Sequence, residues 1–421
     1  MKRIALFTQN LDTGGIQKVV STLANYLLDK YEAYIILAED DKTIVQILHP
    51  LIKIRCIKTV KINILKDGIG FWLMSYRVKE LDLLLNHIQP DLLFSFGEYN
   101  NIIALKTDYQ CKKIISIRAV FESMKAKSIH LLRYTEYKQL MIDYYPKADS
   151  IITVSNFISQ ELTNIIPQLK AETIHNGIDI NIVDKDTKVN IIDQKYILNI
   201  GRLHPQKGHL DLIDAFAKIS HEIEQNLIIV GEGTYREEIE QKIRFYDLTK
   251  RVYLLGEIQL PYNLMKQCDL FVFPSYYEGF PNVLIEAMAC KCPIVSYKFQ
   301  GYNEILNDDD NLCEIGDTKD LSKKILFFLK NNSEKKLQDA IFADERAIEL
   351  ACRFGYSIPN AYKSLGGALK ELIEKTRKKK KRVIFEDRLE ALRKSAEKAR
   401  SELSQQEGSE KSVSSENVYG Q

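Results

Sequence analysis

Residues 273–288 read Phe273-Pro274-Ser275-Tyr276-Tyr277-Glu278-Gly279-Phe280-Pro281-Asn282-Val283-Leu284-Ile285-Glu286-Ala287-Met288. An apolar run stops at Pro274, and Pro281 suits the first turn of a helix. Glu278 then lies on the loop before that helix, while Asn282 and Glu286, four residues apart, share one helix face. Leu284 and Ile285 call for burial on both sides. A helix N-terminus offers unpaired N–H groups and partial positive charge to a polar ligand, and the two glutamates accept hydrogen bonds from hydroxyls such as those of a sugar. A helix-capping glutamate followed by a solvated one is the plainer alternative.

Outward from this stretch, short apolar runs alternate with amphipathic segments, the pattern of βαβ units and parallel sheets. Strands are expected at 4–7, 34–37, 52–57, 92–96, 114–117 and 151–154, with helices at 16–28 and 157–164. A second series has strands at 196–200, 227–230, 252–255, 270–274 and 293–297, the last of the chain. The charged, aperiodic stretch 183–190 between them reads as a linker. With 421 residues there is room for about two to three domains. The expected division is a Rossmann-like domain over 1–185, a second over 186–355, a helix over 356–374 that returns to the first domain, and a basic, charged helical or disordered tail over 375–421. Ser357 serves that helix as N-cap, with Pro359 in its first turn.

Charge narrows the function classes. The net charge is +2, but residues 375–421 hold 13 Lys and Arg against 8 Asp and Glu, leaving 46 against 49 in the body. A body with an acidic excess argues against nucleic acid as a partner. The seven cysteines include no C-x-x-C pair and read as reduced, mostly buried thiols. Neither a signal peptide nor an uncharged stretch of membrane-spanning length is found, so a cytoplasmic protein is expected.

Directly after a strand stands Gly201-Arg202-Leu203-His204-Pro205-Gln206-Lys207-Gly208. The proline-containing turn lets Arg202 and Lys207 return to the strand's C-terminal edge, where open α/β sheets bind ligands. Two cations there suit a diphosphate, although an ordinary charged surface loop fits the same residues. Gly14-Gly15 permits close backbone approach to a ligand. Gly231-Glu232-Gly233 lacks a third glycine and reads better as a tight strand-to-helix turn than as a dinucleotide fingerprint. The histidines are dispersed, and Asp184-Lys185-Asp186 and Asp308-Asp309-Asp310 stand in a linker and in a polar turn after the last strand. No metal site is expected.

Together these motifs resemble the family 4 glycosyltransferases, also called group 1. They comprise Gly14-Gly15, Val154-Ser155-Asn156, His175-Asn176-Gly177-Ile178-Asp179, Arg202 through Lys207, and Glu278 with Glu286 in the family's E-x7-E spacing. The resemblance covers residues 2–374. It implies an α/β GT-B fold, two Rossmann-like doubly wound domains facing across a cleft, followed here by a C-terminal helical tail. It also implies a retaining enzyme that moves a hexose from a nucleotide-sugar, here UDP-linked, to a hydroxyl of a glycan or lipid-linked glycan. In that picture Arg202 and Lys207 hold the diphosphate and Glu286 the ribose hydroxyls. Glu278 with the backbone of Phe280, Asn282 and Val283 holds the sugar, Gly15 approaches the phosphates from the opposite domain, and Glu257 lies near the nucleobase. Arg118 stands where the family often has a histidine beside the sugar. The nucleotide-sugar is a substrate, so no cofactor or metal is implied. The leaving phosphate takes the acceptor's proton, so no enzyme nucleophile is needed.

An epimerase or hydrolase acting on a nucleotide-sugar, or a catalytically silent membrane-associated binding protein, would share the fold. The basic run Arg377-Lys378-Lys379-Lys380-Lys381-Arg382 suits an anionic surface, such as the cytoplasmic face of the inner membrane. The alternatives for the tail are a short helical association seam and a solvated end. Residues 123–147 mix lysines with a Leu/Tyr/Met stripe that fits either an amphipathic membrane contact or core packing.

Overall fold

In Arg3–Thr8 (β1) five of six residues are buried. A parallel strand covered by helices on both faces hides both rows of side chains, and it therefore reads as a continuous apolar run. The computed structural model describes residues 1–12, 14–39, 48–58, 69–121, 134–177, 183, 194–306 and 311–330. The first lobe continues with α1 (Gly15–Leu27), β2 (Glu32–Leu37), β3 (Lys53–Cys56), α2 (Ile69–Ile88), β4 (Leu92–Phe96), α3 (Glu98–Lys106) and β5 (Lys112–Ile117). It closes with α4 (Tyr134–Tyr144), β6 (Ser150–Thr153), α5 (Asn156–Ile165) and β7 (Glu172–Thr173).

The second lobe contains β8 (Tyr196–Ile200), α6 (His209–Ile219), β9 (Asn226–Val230), α7 (Arg236–Phe245), β10 (Val252–Leu254) and α8 (Tyr262–Gln267). It ends with β11 (Leu270–Phe273), α9 (Asn282–Ala289), β12 (Ile294–Tyr297), β13 (Leu312–Cys313) and α10 (Thr318–Lys330). The strand orders are β3-β2-β1-β4-β5-β6-β7 and β10-β9-β8-β11-β12-β13. Every described pairing is parallel, with Ile4 beside Leu92 and Ile197 beside Leu270 where the order reverses. Each sheet is thus doubly wound, and its ligand crevice lies past the carboxyl ends of the two strands flanking the reversal. Those strands are β1 and β4 in the first lobe, β8 and β11 in the second.

The structure departs from expectation at the edges of the sheets and decides part of one open alternative. Residues 293–297 do not form the last strand, because β13 pairs beyond β12 with Leu312 beside Ser296. Two-residue strands such as β7 and β13 are too short to carry a periodicity. Of residues 123–147, positions 134–147 are described, and in α4 Tyr137, Leu140 and Met141 are buried, so that part of the stripe is core. Residues 123–133, the boundary at 185, both D-x-D sequences, the helix over 356–374 and the tail over 375–421 lie outside the described residues.

Among the described cysteines, Cys268, Cys290, Cys292 and Cys313 are buried, Cys56 and Cys111 partly so, and none is disulfide-bonded. Burial pushes the Cys111 thiol up to about 11 and that of Cys313 up to about 12, which makes both poor nucleophiles. Among the described residues no helix is long and apolar enough to cross a membrane.

One apolar cluster runs from the first lobe into the inner half of the second. Where the lobes meet, a Cβ on Gly279 would stand 2.1 Å from the carbonyl oxygen of Arg118, so backbone meets backbone and only glycine fits. Nearby, Glu304 of the second lobe accepts the N–H groups of Asn156 (2.7 Å) and Phe157 (2.9 Å) at the start of α5. It also pairs with Nε2 of His175 at 2.7 Å. Ser155 is the local N-cap of α5, its Oγ accepting from the Ile158 N–H, so the helix is capped from both lobes.

Candidate active site

The loop after β8 is fastened to the loop after β11. Gln206 donates through Nε2 to the Tyr277 carbonyl at 2.7 Å, and the Tyr276 N–H donates to the Gln206 carbonyl at 2.9 Å. Gly208 has φ 65°, and a Cβ there would lie 2.0 Å from the Pro274 carbonyl oxygen. This contact sets Lys207 against the turn that carries Glu278. Lys207 Nζ and Glu278 Oε1 are 2.6 Å apart, with side chains only 18% and 10% exposed. A carboxylate so buried is costly unless paired, and Lys207 is its partner.

Arg202, at the same sheet edge, is exposed and makes no hydrogen bond or ion pair with the described residues. Next to Lys207 the ring of His209 is fully buried, with the His204 backbone as the polar neighbour that favours its charged form. Burial, with Lys207 adding to it, pulls its pKa down to about 4.

Gly231 and Gly233 form a tight turn, since a Cβ on either would stand 2.1 or 2.2 Å from the carbonyl oxygens of Gly201 and Leu203. Glu257 is exposed on the turn after β10, with no hydrogen bond or ion pair to the described residues. The structure leaves it apart from the paired cluster.

Helix α9 brings the lobes together. Asn282, its first residue, donates through Nδ2 to the Gly15 carbonyl at 3.3 Å, and Glu286, one turn on, forms an ion pair with Lys18 of α1. The shared face of Asn282 and Glu286 therefore meets the glycine turn of the opposite lobe. Phe280 is buried and stacks on His175, with ring centroids 4.7 Å apart. Val283 packs at the edge of the apolar cluster.

Arg118 lies at the end of β5, its guanidinium donating to Ser116 Oγ and to Asn176 Oδ1. The backbone N–H groups of Arg118 and Ala119 both donate to Glu98 Oε1, at 2.9 and 2.8 Å. Asn176 donates in turn to Asn282 Oδ1 at 2.5 Å and to the Phe280 carbonyl at 3.4 Å. A polar chain thus runs Arg118–Asn176–Asn282–Gly15 across the cleft.

Of the residues singled out by sequence, Lys207 with Glu278, Asn282 with Gly15, and Arg118 by way of Asn176 are joined, whereas Arg202 and Glu257 stand at the rim. Lys18, Glu98 and His209 belong to no motif. Lys18 alone leaves a trace in the sequence, a cation at a helix N-terminus where the dipole disfavours it. Among the described residues no group of three His, Cys, Asp or Glu is placed to hold a metal ion.

The profile described as Glycosyltransferase Family 4 matches residues 13–182, and that described as Glycosyl transferases group 1 matches residues 183–343. A Campylobacter jejuni relative, N-acetylgalactosamine-N,N'-diacetylbacillosaminyl-diphospho-undecaprenol 4-alpha-N-acetylgalactosaminyltransferase, is 30% identical over 349 residues, 80% of this chain and 92% of its own length. Among solved structures, sucrose-phosphate synthase from Thermosynechococcus elongatus superposes with a TM-score of 0.75 at 19% identity, over 87% of this chain and 99% of that one. Anabaena HepE in complex with UDP-glucose superposes with a TM-score of 0.69 at 20% identity, over 86% and 100%. These two show a shared GT-B fold. With successive family profiles covering its two lobes and a relative aligned over nearly its whole length, the chain belongs to the group 1 glycosyltransferases of family 4.

Proposed function

We propose that the enzyme transfers a hexose, with retention and without a metal ion, from a UDP-sugar to a hydroxyl of a lipid-linked glycan at the cytoplasmic face of a membrane. The observation that carries this reading is the Lys207–Glu278 ion pair at the reversal point of the second sheet, beside the Asn282–Gly15 contact with the first. Lys207 and Arg202 offer two cations to a diphosphate whose charge grows as the bond to the sugar breaks, where preorganised charge lowers the barrier most. Once Lys207 turns to the diphosphate, Glu278 is released to accept from sugar hydroxyls. Glu286 accepts from the ribose, and the first N–H groups of α9 face the sugar. Arg118 borders the acceptor side.

In the transfer, the bond from the anomeric carbon to the diphosphate oxygen breaks and its electron pair leaves with UDP. The acceptor oxygen bonds to that carbon on the same face and gives its proton to the leaving phosphate. The undecaprenol-linked substrate named for the Campylobacter relative and the UDP-glucose held by HepE support the choice of acceptor and donor.

The test is turnover of a panel of UDP-sugars with a polyprenyl-diphosphate-linked glycan, in buffer containing EDTA, with the product anomer read by NMR. Acceptor-dependent UDP release with the donor's anomeric configuration kept is the expected result. Free sugar or an epimer formed without acceptor would replace it with the hydrolase or epimerase reading.

A further inference from the structure

Lys18 is out of place by the rules of its own helix. It stands at the N-terminal end of α1, where the helix dipole disfavours a cation, and the first turn holds no acidic residue to offset it. Its amino group reaches across the cleft instead, pairing with Glu286 Oε1 and donating to the Tyr262 hydroxyl at 2.7 Å. It also lies 5.2 Å from the centroid of the Tyr262 ring. Burial opposes the charge on Lys18, but Glu286 and Tyr262 outweigh it and hold the amino group protonated. Two side chains of the second lobe, Glu286 and Tyr262, thus converge on one amino group of the first. The second oxygen of that carboxylate, Oε2, takes no hydrogen bond from the described residues.

We propose that Lys18 is a positioning residue for nucleoside recognition, fixing Glu286 through Oε1 so that Oε2 is aimed at the ribose hydroxyls and tying the first lobe to the bound nucleoside. This rests on the reading of Glu286 as the ribose acceptor. Without Lys18 the glutamate side chain would swing among its rotamers, and each would have to be frozen when the nucleoside binds. With Lys18 that ordering precedes binding, and the lobe that carries Gly15 is drawn in by the same contact. The effect falls on the nucleoside half of the ligand and is independent of phosphate.

The experiment is calorimetry on the full chain with UDP and, by competition, with uridine. The proteins are the wild type, Lys18→Met, Lys18→Arg, Glu286→Gln and the Lys18→Met/Glu286→Gln double variant, with melting curves in the absence of ligand as a check on folding. Lys18→Met is expected to weaken UDP and uridine by the same factor, about 10-fold, with Lys18→Arg restoring most of it. The double variant should bind no more weakly than Glu286→Gln alone.

If Lys18→Met weakens UDP and leaves uridine untouched, Lys18 acts on the phosphates and the proposal falls. It falls equally if the two substitutions add, or if Lys18→Met binds both ligands as the wild type does. A wild type that binds no nucleoside diphosphate at all would instead overturn the donor-site reading, and the role of Lys18 with it.

Discussion

Lys207 and Glu278 neutralise one another, so each substitution exposes the other's unmet charge. On the proposed reading Lys207→Ala removes one of two cations that would face the leaving diphosphate, and kcat/KM is expected to fall at least about 100-fold in a donor-turnover assay. The two glutamates should separate by assay. Glu278→Gln is expected to lower the transfer rate while UDP affinity stays near wild type, and Glu286→Ala to weaken UDP itself, both read by calorimetry beside turnover. His209 adds a pH dependence. Its folded value, pulled from 6.5 to about 4, lies below the unfolded one, so the unfolded chain binds the proton more tightly. Stability should therefore fall as pH drops from about 6.5 towards 4, by up to about 3 kcal/mol. His209→Leu should flatten that slope in melting curves recorded across the same range.

At the scale of elements, α9 and the two loops beside it explain what could be read in advance. Apolar runs such as 92–96 and 196–200, each with one buried polar residue, became strands at those bounds, because burial on both faces leaves a signal in nearly every residue. The position of Glu278 on a loop, and of Asn282 and Glu286 on one face, was legible because Pro281 marks the helix start and 3.6-residue periodicity does the rest. What Glu286 meets on the other lobe was not legible. Lys18 stands 268 positions away from it, and local sequence carries no record of a partner that only folding brings near. Asn176 was visible as part of a motif, yet its bridge between Arg118 and Asn282 depends on the same long-range meeting.

The strand-to-helix glycines have the same character. Gly279 is needed less for its own turn than for the Arg118 carbonyl that approaches it. Gly279→Ala is expected to push the lobes apart, lowering the melting temperature by the equivalent of about 1–3 kcal/mol and costing activity, with both losses seen together in one variant.

Across the whole molecule, the lobes are joined by a shared apolar cluster, by the chain from Arg118 to Gly15, by Lys18 with Glu286, and by the grip of Glu304 on α5. Burial alone would raise the Glu304 pKa, but His175 and the N–H groups of Asn156 and Phe157 outweigh it and hold the carboxyl below its ordinary 4.5. A depressed carboxylate stabilises the fold at neutral pH, and that contribution is lost as pH falls below about 4.5. Glu304→Gln should accordingly melt earlier than the wild type at pH 7, and the gap between the two should close as pH falls below about 4.5.

The cap that Glu304 places on α5 also bears on how such enzymes diversify. A first lobe inherited without its matching second lobe would keep the Ser155 cap but lose the acceptor for the Asn156 and Phe157 N–H groups, and a second lobe from elsewhere would bring its own side chain to that spot. Recombination between lineages is therefore constrained at the seam. A hybrid that joins this first lobe to a second lobe without a carboxylate at position 304 should therefore melt earlier than the intact chain.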